Sequence, residues 1–311
     1  MRSYITVDSG TTNTRISLVV DYAIVDHLKF GVCVSGNETR KERLSKQLKS
    51  GIIDILARNK MSSENISCII ASGMITSEIG LVELEHITAP CGIKQLAENL
   101  YKTTIEEISE IPFVFIRGVK CVVGNDIDMM RGEETEIYGI SEELQEDCLY
   151  VLPGSHSKLI YVDQEKCISN FSTELTGEMI SAMANHTILS NMIDLNQSAS
   201  DAACLQNGYL YCKEHGMNAA LFHVRSLKRF SNVSDAQAFS FFIGTMLAPE
   251  IENIIKSPAE RVVVGGKNQL KDPTAILLKT NSTKQIEIVS EEIADNATVY
   301  GAIKIYESSI Y

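Results

Sequence analysis

Hydrophobic and polar positions alternate with a period of two near the start of the chain. Ile5 and Val7 precede the polar segment 10–14, and Ile16 and Leu18 follow it. This alternation is typical of half-buried strands, and the glycine and hydroxyl residues between them are typical of a turn. The segment therefore predicts a β-hairpin whose polar end, residues 10–14, is called the first tip below.

The same layout returns in the second half of the chain. Apolar segments at 149–152 and 159–162 flank Pro153-Gly-Ser-His-Ser-Lys158, which is called the second tip. Each tip combines a glycine with hydroxyl residues and is followed or ended by a cation, Arg15 or Lys158. The two tips are separated by roughly one domain length, so the layout favours two related lobes.

Elsewhere, strand-like and helix-like patterns alternate, which predicts an α/β protein. Helical periodicity is found at 44–55, 96–100, 129–138, 234–255 and 294–306, and buried strands are expected at 66–71, 113–116 and 261–264. Ser234 and Gln237 fit a capping box at the start of the longest helix.

Composition narrows the class of protein. A chain of 311 residues with 44% hydrophobic and 22% charged residues is typical of a globular protein with two lobes. The N-terminus shows no signal-peptide pattern, and no apolar run approaches a membrane span, so we expect a cytoplasmic protein without a membrane partner.

A net charge of −12 argues against nucleic acid as a partner. It leaves room for a small anion, because local cations and helix N-termini can hold one. The eight cysteines are scattered and predict reduced thiols. Cys204, Cys212 and His215 fit no common zinc spacing.

The first tip has the chemistry of a phosphate-binding turn. Its backbone N–H groups and hydroxyls can surround phosphate oxygens, and Asp8 at the end of the preceding strand can hold Mg²⁺ through water. A hairpin turn that satisfies its own backbone groups explains the same residues.

The second tip strengthens the phosphate hypothesis, because two tips facing a shared cleft could hold a triphosphate. His156 lies between two serines, but the G-x-S-x-G pattern of a serine hydrolase is missing. Thr176 and Gly177 open a helix whose free N–H groups could meet a phosphate or ribose. Gly265 and Gly266 end a buried strand and could let a base approach the backbone.

Two aspartates precede the predicted helix at 129–138. Asp126 and Asp128 could cap that helix, or one of them could accept the proton of an attacking hydroxyl. Phosphoryl transfer needs mainly alignment and charge neutralisation, so a metal-binding Asp8 and a base would nearly complete a kinase.

These motifs occur in the order found in the actin, hexokinase and sugar-kinase superfamily. Over nearly its whole length the chain resembles the 2-dehydro-3-deoxygalactonokinase family. The stretches that carry the resemblance are 8–15, 71–74, 128–135, 152–158, 175–178, 186–189 and 221–225. The Arg-Gly-Glu-Glu-Thr135 and Pro-Gly-Ser-His-Ser-Lys158 segments are specific to the family, whereas the first tip is shared by the superfamily.

The resemblance implies two ribonuclease-H-like (actin-like ATPase) lobes with an interdomain cleft. The expected boundaries are 1–140 for a phosphate-1 and sugar-binding lobe and 141–311 for a phosphate-2 and adenosine lobe, with the final helix near the hinge. It further implies ATP and Mg²⁺ as cofactors and a small sugar acid as substrate, phosphorylated on the 6-hydroxyl of 2-dehydro-3-deoxy-D-galactonate.

The resemblance also implies roles for particular residues. Asp8 organises the metal, and Asp128 is the expected base, with Asp126 as the alternative. The expected nucleotide-binding residues are Gly10, Thr11, Thr12, Asn13, Gly154, Ser155, His156, Ser157, Lys158, Thr176, Gly177, Gly265 and Gly266. The expected sugar-binding residues are Ser72, Gly73, Met74, Arg131 and Glu133.

The chain departs from the family pattern at a few positions. Ser9 and Leu159 stand where the family often has Trp, and Arg117 replaces the proline of a Pro-Gly pair. These departures leave open a kinase of another sugar or sugar acid. An actin-like nucleotide-binding module without phosphotransfer is the alternative from another class of function.

Overall fold

The computed structural model describes residues 2–31 and 39–310. It is a mixed α/β protein made of two compact units. The first unit comprises Met1–Glu146, Val162–Asn170 and Asp295–Tyr311, and the second comprises Asp147–Tyr161 and Phe171–Ala294.

The strands are β1 (Ser3–Ser9), β2 (Asn13–Val20), β3 (Ala23–Gly31), β4 (Cys68–Gly73), β5 (Ile87–Thr88), β6 (Tyr101–Ile105), β7 (Ser109–Phe115), β8 (Val119–Val123), β9 (Asp126–Met130), β10 (Cys148–Leu152), β11 (Ser157–Val162), β12 (Ile168–Glu174), β13 (Arg261–Val264) and β14 (Gln285–Ile288). The α-helices are α1 (Arg40–Arg58), α2 (Ile93–Glu98), α3 (Glu133–Ile140), α4 (Thr176–His186), α5 (Ala202–His215), α6 (Met217–Phe230), α7 (Asp235–Lys256), α8 (Lys271–Asn281) and α9 (Glu291–Glu307). Short 3₁₀ turns lie at Ser63–Asn65 and Met74–Thr76.

The first unit is built on a six-stranded sheet of order β3-β2-β1-β4-β7-β6. The predicted first hairpin is confirmed: β1 and β2 pair antiparallel, with Asp8 opposite Arg15. On its other side β1 pairs in parallel with β4, which places Asp8 beside Ser72 and Ser9 beside Gly73. The core of this unit lies between the sheet and the apolar face of α1. The carboxyl ends of β1 and β4 therefore meet at one edge of the sheet.

The second unit is built on a five-stranded sheet of order β12-β11-β10-β13-β14. The parallel pair of β10 and β13 brings Val151 opposite Val264, so the segments that follow these strands leave the same edge of the sheet. The predicted strand 261–264 and the capping box of Ser234 and Gln237 are confirmed.

Helix α7 forms the centre of the second unit. Within residues 2–31 and 39–310 it is the one helix with the length and hydropathy to cross a bilayer. Sequence inspection found no such segment, but most residues of α7 are buried in the core with α5, α6 and the sheet. Its apolar character is thus used for internal packing.

Two sequence-based expectations differ from the structure. Residues 129–132 are not helical, because 126–130 pair with β8 as an antiparallel strand and α3 begins only at Glu133. The final helix α9 lies mostly in the first unit, where the Arg15 guanidinium donates to the Asp295 carbonyl at 2.6 Å and the Lys304 ammonium donates to the Ser141 carbonyl at 2.5 Å. The expected division at 140/141 placed this helix in the second lobe.

Candidate functional site

The first tip is a tight turn with a free polar surface. The Gly10 N–H donates to the Asn13 carbonyl at 2.8 Å, which closes the turn and leaves the side chains of Thr11, Thr12 and Asn13 exposed. Arg40 of α1 donates to the carbonyls of Gly10 and Thr11 at 3.2 and 3.3 Å. Arg40 therefore stabilises the backbone of the turn, while the hydroxyls and the amide of the turn remain accessible to a ligand.

Asp8 lies at the base of this turn. Its carboxylate is partly exposed and lies 3.5 Å from the Arg15 guanidinium. In residues 2–31 and 39–310 no group of three or more His, Cys, Asp or Glu side chains is arranged to hold a metal ion. Mg²⁺ usually keeps several waters and takes only one or two protein carboxylates together with substrate phosphates. Asp8 therefore fits the part of a single carboxylate that holds Mg²⁺ through water.

A glycine contact joins the first tip to the expected sugar-binding residues. Gly73 has φ +83°, and a Cβ there would lie 2.3 Å from the Ser9 carbonyl oxygen, so only glycine fits. Gly132 lies against the other side, where its Cβ would be 3.4 Å from the Gly73 Cα. The Ser72 hydroxyl is buried next to Asp8 and has no hydrogen-bond partner within the described part of the chain. Ser72, Gly73 and the start of α3 thus converge on the end of β1.

The other expected sugar-binding residues shape the surrounding loops. Arg131 donates to the Thr76 hydroxyl at 2.8 Å and to the Leu84 carbonyl at 2.7 Å, and burial lowers the pKa of its guanidinium. Glu133 accepts a hydrogen bond from the Arg131 N–H at 3.0 Å. Met74 is half-buried at the start of a 3₁₀ turn. Arg131 thus fixes the loop 74–86 to the start of α3.

Glu134 was missed by the sequence analysis, which singled out its neighbour Glu133. Its carboxylate is fully buried, accepts from the Gly132 N–H at 2.9 and 2.8 Å, and accepts from the Thr135 hydroxyl at 3.1 Å. Burial, and secondarily the charge of Glu133, raises the pKa of Glu134 to about 8. The consecutive glutamates after Gly132 were the available signal, but the sequence does not show which of them is buried.

The structure places the expected base on a strand. Asp128 is half-buried on β9 opposite Cys121, and its carboxylate accepts from the Met129 N–H at 2.6 Å. Asp126 is exposed at the start of the same strand. The predicted position at a helix start is wrong for both, because β9 leads into α3 only through Arg131 and Gly132.

In the second unit the start of α4 holds the second tip. The N–H groups of Gly177 and Glu178 donate to the carbonyls of Gly154 and Ser155, each at 3.1 Å. A Cβ on Gly177 would lie 2.5 Å from the Gly154 oxygen, so this approach also requires glycine. The expected free N–H groups at this helix start are therefore wrong for Gly177 and Glu178.

The side chains of the second tip are divided between surface and interior. Ser155 is exposed, and His156 contacts Glu178 with 2.9 Å between Nε2 and Oε1. The Ser157 hydroxyl accepts from the Gly154 N–H at 3.2 Å. Lys158 is buried, and its ammonium donates to the Thr173 hydroxyl. The exposed surface of the tip is thus made by its first residues.

A cavity of about 300 Å³ opens beside the second tip, and we call it the unit 2 cavity. Gly266, two residues before the lining residue Asn268, has φ +79° and lies close to Pro153, and Gly265 donates to the Val151 carbonyl at 2.8 Å. The lining residues are Ser155, Gly177, Ile180, Ser181, Leu195, Ala199, Phe239, Ile243, Asn268, Gln269 and Leu270. An apolar interior with a few polar groups beside a glycine-rich turn suits a purine base with a phosphate chain.

Gly177, which lines this cavity, and the glycine pair before Asn268 were predicted from the sequence, but the cavity walls were not. The walls come from the second tip, from helices α4 and α7, from the segment between α4 and α5, and from the segment after Gly266, which are distant in the chain. Asn268 and Gln269, which follow the glycine pair after Lys267, were the local signal. The apolar wall residues have the same helical periodicity as any core residue.

The fold is shared with known sugar kinases. A xylulose kinase from Lactobacillus acidophilus aligns with 100% of this chain and 90% of its own, with a TM-score of 0.56 and 11% identity. A crystal structure from Sinorhizobium meliloti, described as a candidate 2-dehydro-3-deoxygalactonokinase, aligns over 97% of this chain and 98% of its own, with a TM-score of 0.80 and 23% identity. The protein thus has the α/β fold of the actin-like sugar kinases.

Sequence comparison defines the family. The sequence profile of the 2-keto-3-deoxy-galactonokinase family matches residues 8–305. The 2-dehydro-3-deoxygalactonokinase of Escherichia coli (strain K12) is 25% identical over 257 residues, which are 81% of this chain and 80% of the relative. The chain belongs to the 2-keto-3-deoxy-galactonokinase family. It is a sugar kinase, a phosphotransferase with an alcohol group as acceptor, which confirms the resemblance noted in the sequence.

Proposed function

We propose that this kinase uses ATP and Mg²⁺ to phosphorylate the 6-hydroxyl of 2-dehydro-3-deoxy-D-galactonate. The observation that carries the nucleotide part is the unit 2 cavity, which is lined by Ser155 of the second tip and by Gly177 of α4. The substrate part is supported by family membership and by the name of the Escherichia coli relative.

The second unit offers a complete surface for the nucleotide. The base enters the unit 2 cavity between Ile180 and Ile243, with Asn268 and Gln269 at its polar side. Gly266 lies next to Pro153 and permits close approach of the ribose to the backbone. The phosphates extend along Gly154 and the residues of the second tip that follow it.

The first unit offers the surface for the terminal phosphate and the acceptor. The hydroxyls of Thr11 and Thr12 and the amide of Asn13 bind phosphate oxygens, and Asp8 holds Mg²⁺ through water. When bound, Mg²⁺ neutralises the charge that develops on the transferred phosphoryl group. The buried hydroxyl of Ser72 supplies a hydrogen-bonding group beside Asp8 for the acceptor.

In the transfer step the acceptor oxygen forms a bond to the γ-phosphorus of ATP. The bond between the γ-phosphorus and the β,γ-bridging oxygen breaks, and ADP leaves with the electron pair on that oxygen. Asp128 accepts the proton of the attacking hydroxyl, with Asp126 as the alternative acceptor. A correctly placed base contributes typically 10²–10⁴-fold to the rate of such a step.

The substrate is tested by an ADP-release assay with purified protein, ATP and Mg²⁺. We expect turnover with 2-dehydro-3-deoxy-D-galactonate, none with its 6-deoxy analogue, and product phosphate on C6 by ³¹P–¹H correlation spectroscopy. Turnover with another aldonic acid or a neutral sugar instead would show that the acceptor is wrong. ATP binding without turnover on any acceptor would identify a nucleotide-binding module rather than a kinase.

The identity of the general base, the residue that accepts the hydroxyl proton, is tested by Asp128→Asn and, separately, Asp126→Asn. We expect Asp128→Asn to lower kcat about 100-fold with little change in the KM for ATP, because only the proton acceptor is lost. Asp126→Asn is the matched control on the same strand. A kcat reduced only in Asp126→Asn would reassign the base, and unchanged rates in both would exclude β9 from the chemistry.

A further inference from the structure

A single carboxyl group interrupts the apolar interior of α7. Glu250 is 2% exposed and lies among buried residues such as Leu247, Ile251 and Ile254. Its Oε2 accepts a hydrogen bond from the Thr176 hydroxyl at 2.5 Å, whereas its Oε1 has no hydrogen-bond partner among the residues that the structure describes. A buried carboxylate with one unsatisfied oxygen is costly, so its presence in a core helix calls for a physical explanation.

The partner of Glu250 links it to the proposed nucleotide site. Thr176 is the first residue of α4, and the next two N–H groups of that helix hold the carbonyls of Gly154 and Ser155. The Ser157 hydroxyl also lies close enough to the Glu250 carboxyl to lower its pKa, although it makes no hydrogen bond of normal geometry to Oε1. Glu250 therefore lies directly behind the turn that is proposed to receive the phosphates.

The protonation state of Glu250 decides what Thr176 can offer a ligand. When Glu250 is ionised, it can only accept, so the Thr176 hydroxyl proton points inward. When Glu250 is protonated, its own O–H can donate to the Thr176 oxygen. The hydroxyl proton of Thr176 is then free to point towards a phosphate, and the negative charge behind the phosphate site disappears.

We propose that Glu250 is a positioning residue that binds a proton when the nucleotide binds, turning the Thr176 hydroxyl into a donor for the phosphates. This inference rests on the proposed nucleotide site in the second unit. It adds a property that phosphoryl transfer does not require. The affinity for the nucleotide depends on the protonation of Glu250, which does not itself contact the nucleotide.

The protonation state of Glu250 in the free protein is consistent with proton uptake on nucleotide binding. Burial raises its pKa to about 7, while the hydroxyls of Thr176 and Ser157 oppose the shift. The carboxyl is therefore about half protonated near neutral pH, and a bound anion would favour the protonated form further.

The other charged groups of this region are accounted for. Glu174 on β12 raises the pKa of Glu250 further by its charge. On β11 the buried Lys158 donates to Thr173, and at the tip His156 contacts Glu178 of α4. On α7 itself Glu252 pairs with Lys213 at 2.8 Å.

The test is calorimetric titration of the full-length protein with Mg-ADP at pH 7 in buffers of different ionisation enthalpy. The slope of apparent enthalpy against buffer enthalpy gives the protons taken up. We expect wild type to take up about 0.5 proton more than Glu250→Gln, because a group near its pKa is half ionised before binding. Glu252→Gln, two residues along the same helix, should match wild type.

The pH dependence of affinity gives a second readout. We expect the ratio of the Glu250→Gln affinity to the wild-type affinity to rise with pH between 6 and 8, by up to about tenfold per pH unit. His156→Gln should leave the Glu250-dependent difference in place, because the imidazole contacts Glu178 and not Glu250.

Three outcomes are decisive. Equal proton uptake in wild type and Glu250→Gln would overturn the inference, while nucleotide binding in both would leave the proposed function intact. Failure of wild type to bind Mg-ADP would instead overturn the proposed nucleotide site itself. If Glu250→Gln does not fold, Thr176→Val replaces it, and proton uptake unchanged from wild type in that variant would likewise overturn the inference.

Discussion

At the scale of single residues, we expect the substitution of Asp8 to have a large effect on catalysis. Asp8→Ala should lower kcat by at least about 100-fold, more than about 2.7 kcal/mol of barrier, because the described residues contain no group of three or more His, Cys, Asp or Glu side chains that could hold Mg²⁺ in its place. Steady-state kinetics over a range of Mg²⁺ concentrations is the measurement.

The control for Asp8 is another paired aspartate of the same sheet. Asp26 on β3 lies 3.0 Å from Arg58, so Asp26→Ala removes a similar ion pair away from the tip. Its kcat should stay within a factor of two of wild type. A fall of less than tenfold in Asp8→Ala would assign the metal to other residues.

Glu134 gives a prediction about stability and pH. Its folded-state pKa of about 8 exceeds the ordinary value of 4.5, so the folded state binds the proton more tightly than the unfolded state. Its contribution to the free energy of unfolding is thus fully present below about pH 4.5 and falls as pH rises to about 8, by up to about 1.4 kcal/mol per pH unit.

Urea unfolding at pH 5, 6.5 and 8 tests this contribution. Glu134→Gln should lose less stability than wild type across this range, because the amide does not titrate. Glu133→Gln, its half-buried neighbour, should give an intermediate profile, because it removes the charge that secondarily raises the pKa of Glu134 but leaves the burial in place. Parallel pH profiles for wild type and Glu134→Gln would contradict the raised pKa.

At the scale of elements, the sequence predicted the hairpins and missed what surrounds them. The alternation around residues 10–14 and the turn chemistry of 153–158 are local signals, and both hairpins form where expected. The segment 129–138 was predicted as one helix, but 126–130 form a strand because β8 pairs with them. That pairing is a tertiary contact that helical periodicity does not reveal.

The hydrogen bonds from the start of α4 to the second tip lead to a prediction for Gly177. Gly177→Ala places a methyl group 2.5 Å from the Gly154 oxygen, which pushes the second tip away from α4. We expect the KM for ATP to rise about tenfold or more, with a smaller change in the KM for the sugar acid. Fluorescence or calorimetric titration with Mg-ADP checks the loss of affinity directly.

A second glycine serves as the matched control for this prediction. Gly216, at the C-terminal end of α5 in the same unit, has open space where a Cβ would lie, although its φ is +80°. Gly216→Ala should therefore lower stability modestly and leave the KM for ATP unchanged. Equal effects of the two substitutions on the KM would mean that Gly177 acts only through stability.

At the scale of the whole molecule, two lobes were predictable because the two tips repeat one layout. It was not predictable that each lobe is assembled from separate segments of the chain. Residues 162–170 belong to the first unit, where Ile168 exchanges backbone hydrogen bonds with Cys91. The unit 2 cavity was equally hidden, since its walls come from segments between 155 and 270. Contacts between residues so far apart leave no periodic trace in the sequence.

The division into units leads to a prediction about ligand protection. Hydrogen exchange followed by mass spectrometry should show that Mg-ADP slows exchange at 154–158, 177–181 and 266–270 of the second unit. The sugar acid alone should slow exchange at 72–76 and 131–135 of the first unit. The reason is that ligand binding lowers the population of locally open states in the segments that contact the ligand.

Adenosine separates the two parts of the nucleotide surface in the same experiment. Because it lacks phosphates, adenosine should protect 266–270, at the unit 2 cavity, and protect 154–158 less than Mg-ADP does, through Ser155 alone. Protection of 154–158 by adenosine equal to that by Mg-ADP would show that the second tip closes on the base rather than on phosphates. Protection by Mg-ADP confined to 72–76 would place the nucleotide in the first unit and contradict the assignment of the unit 2 cavity.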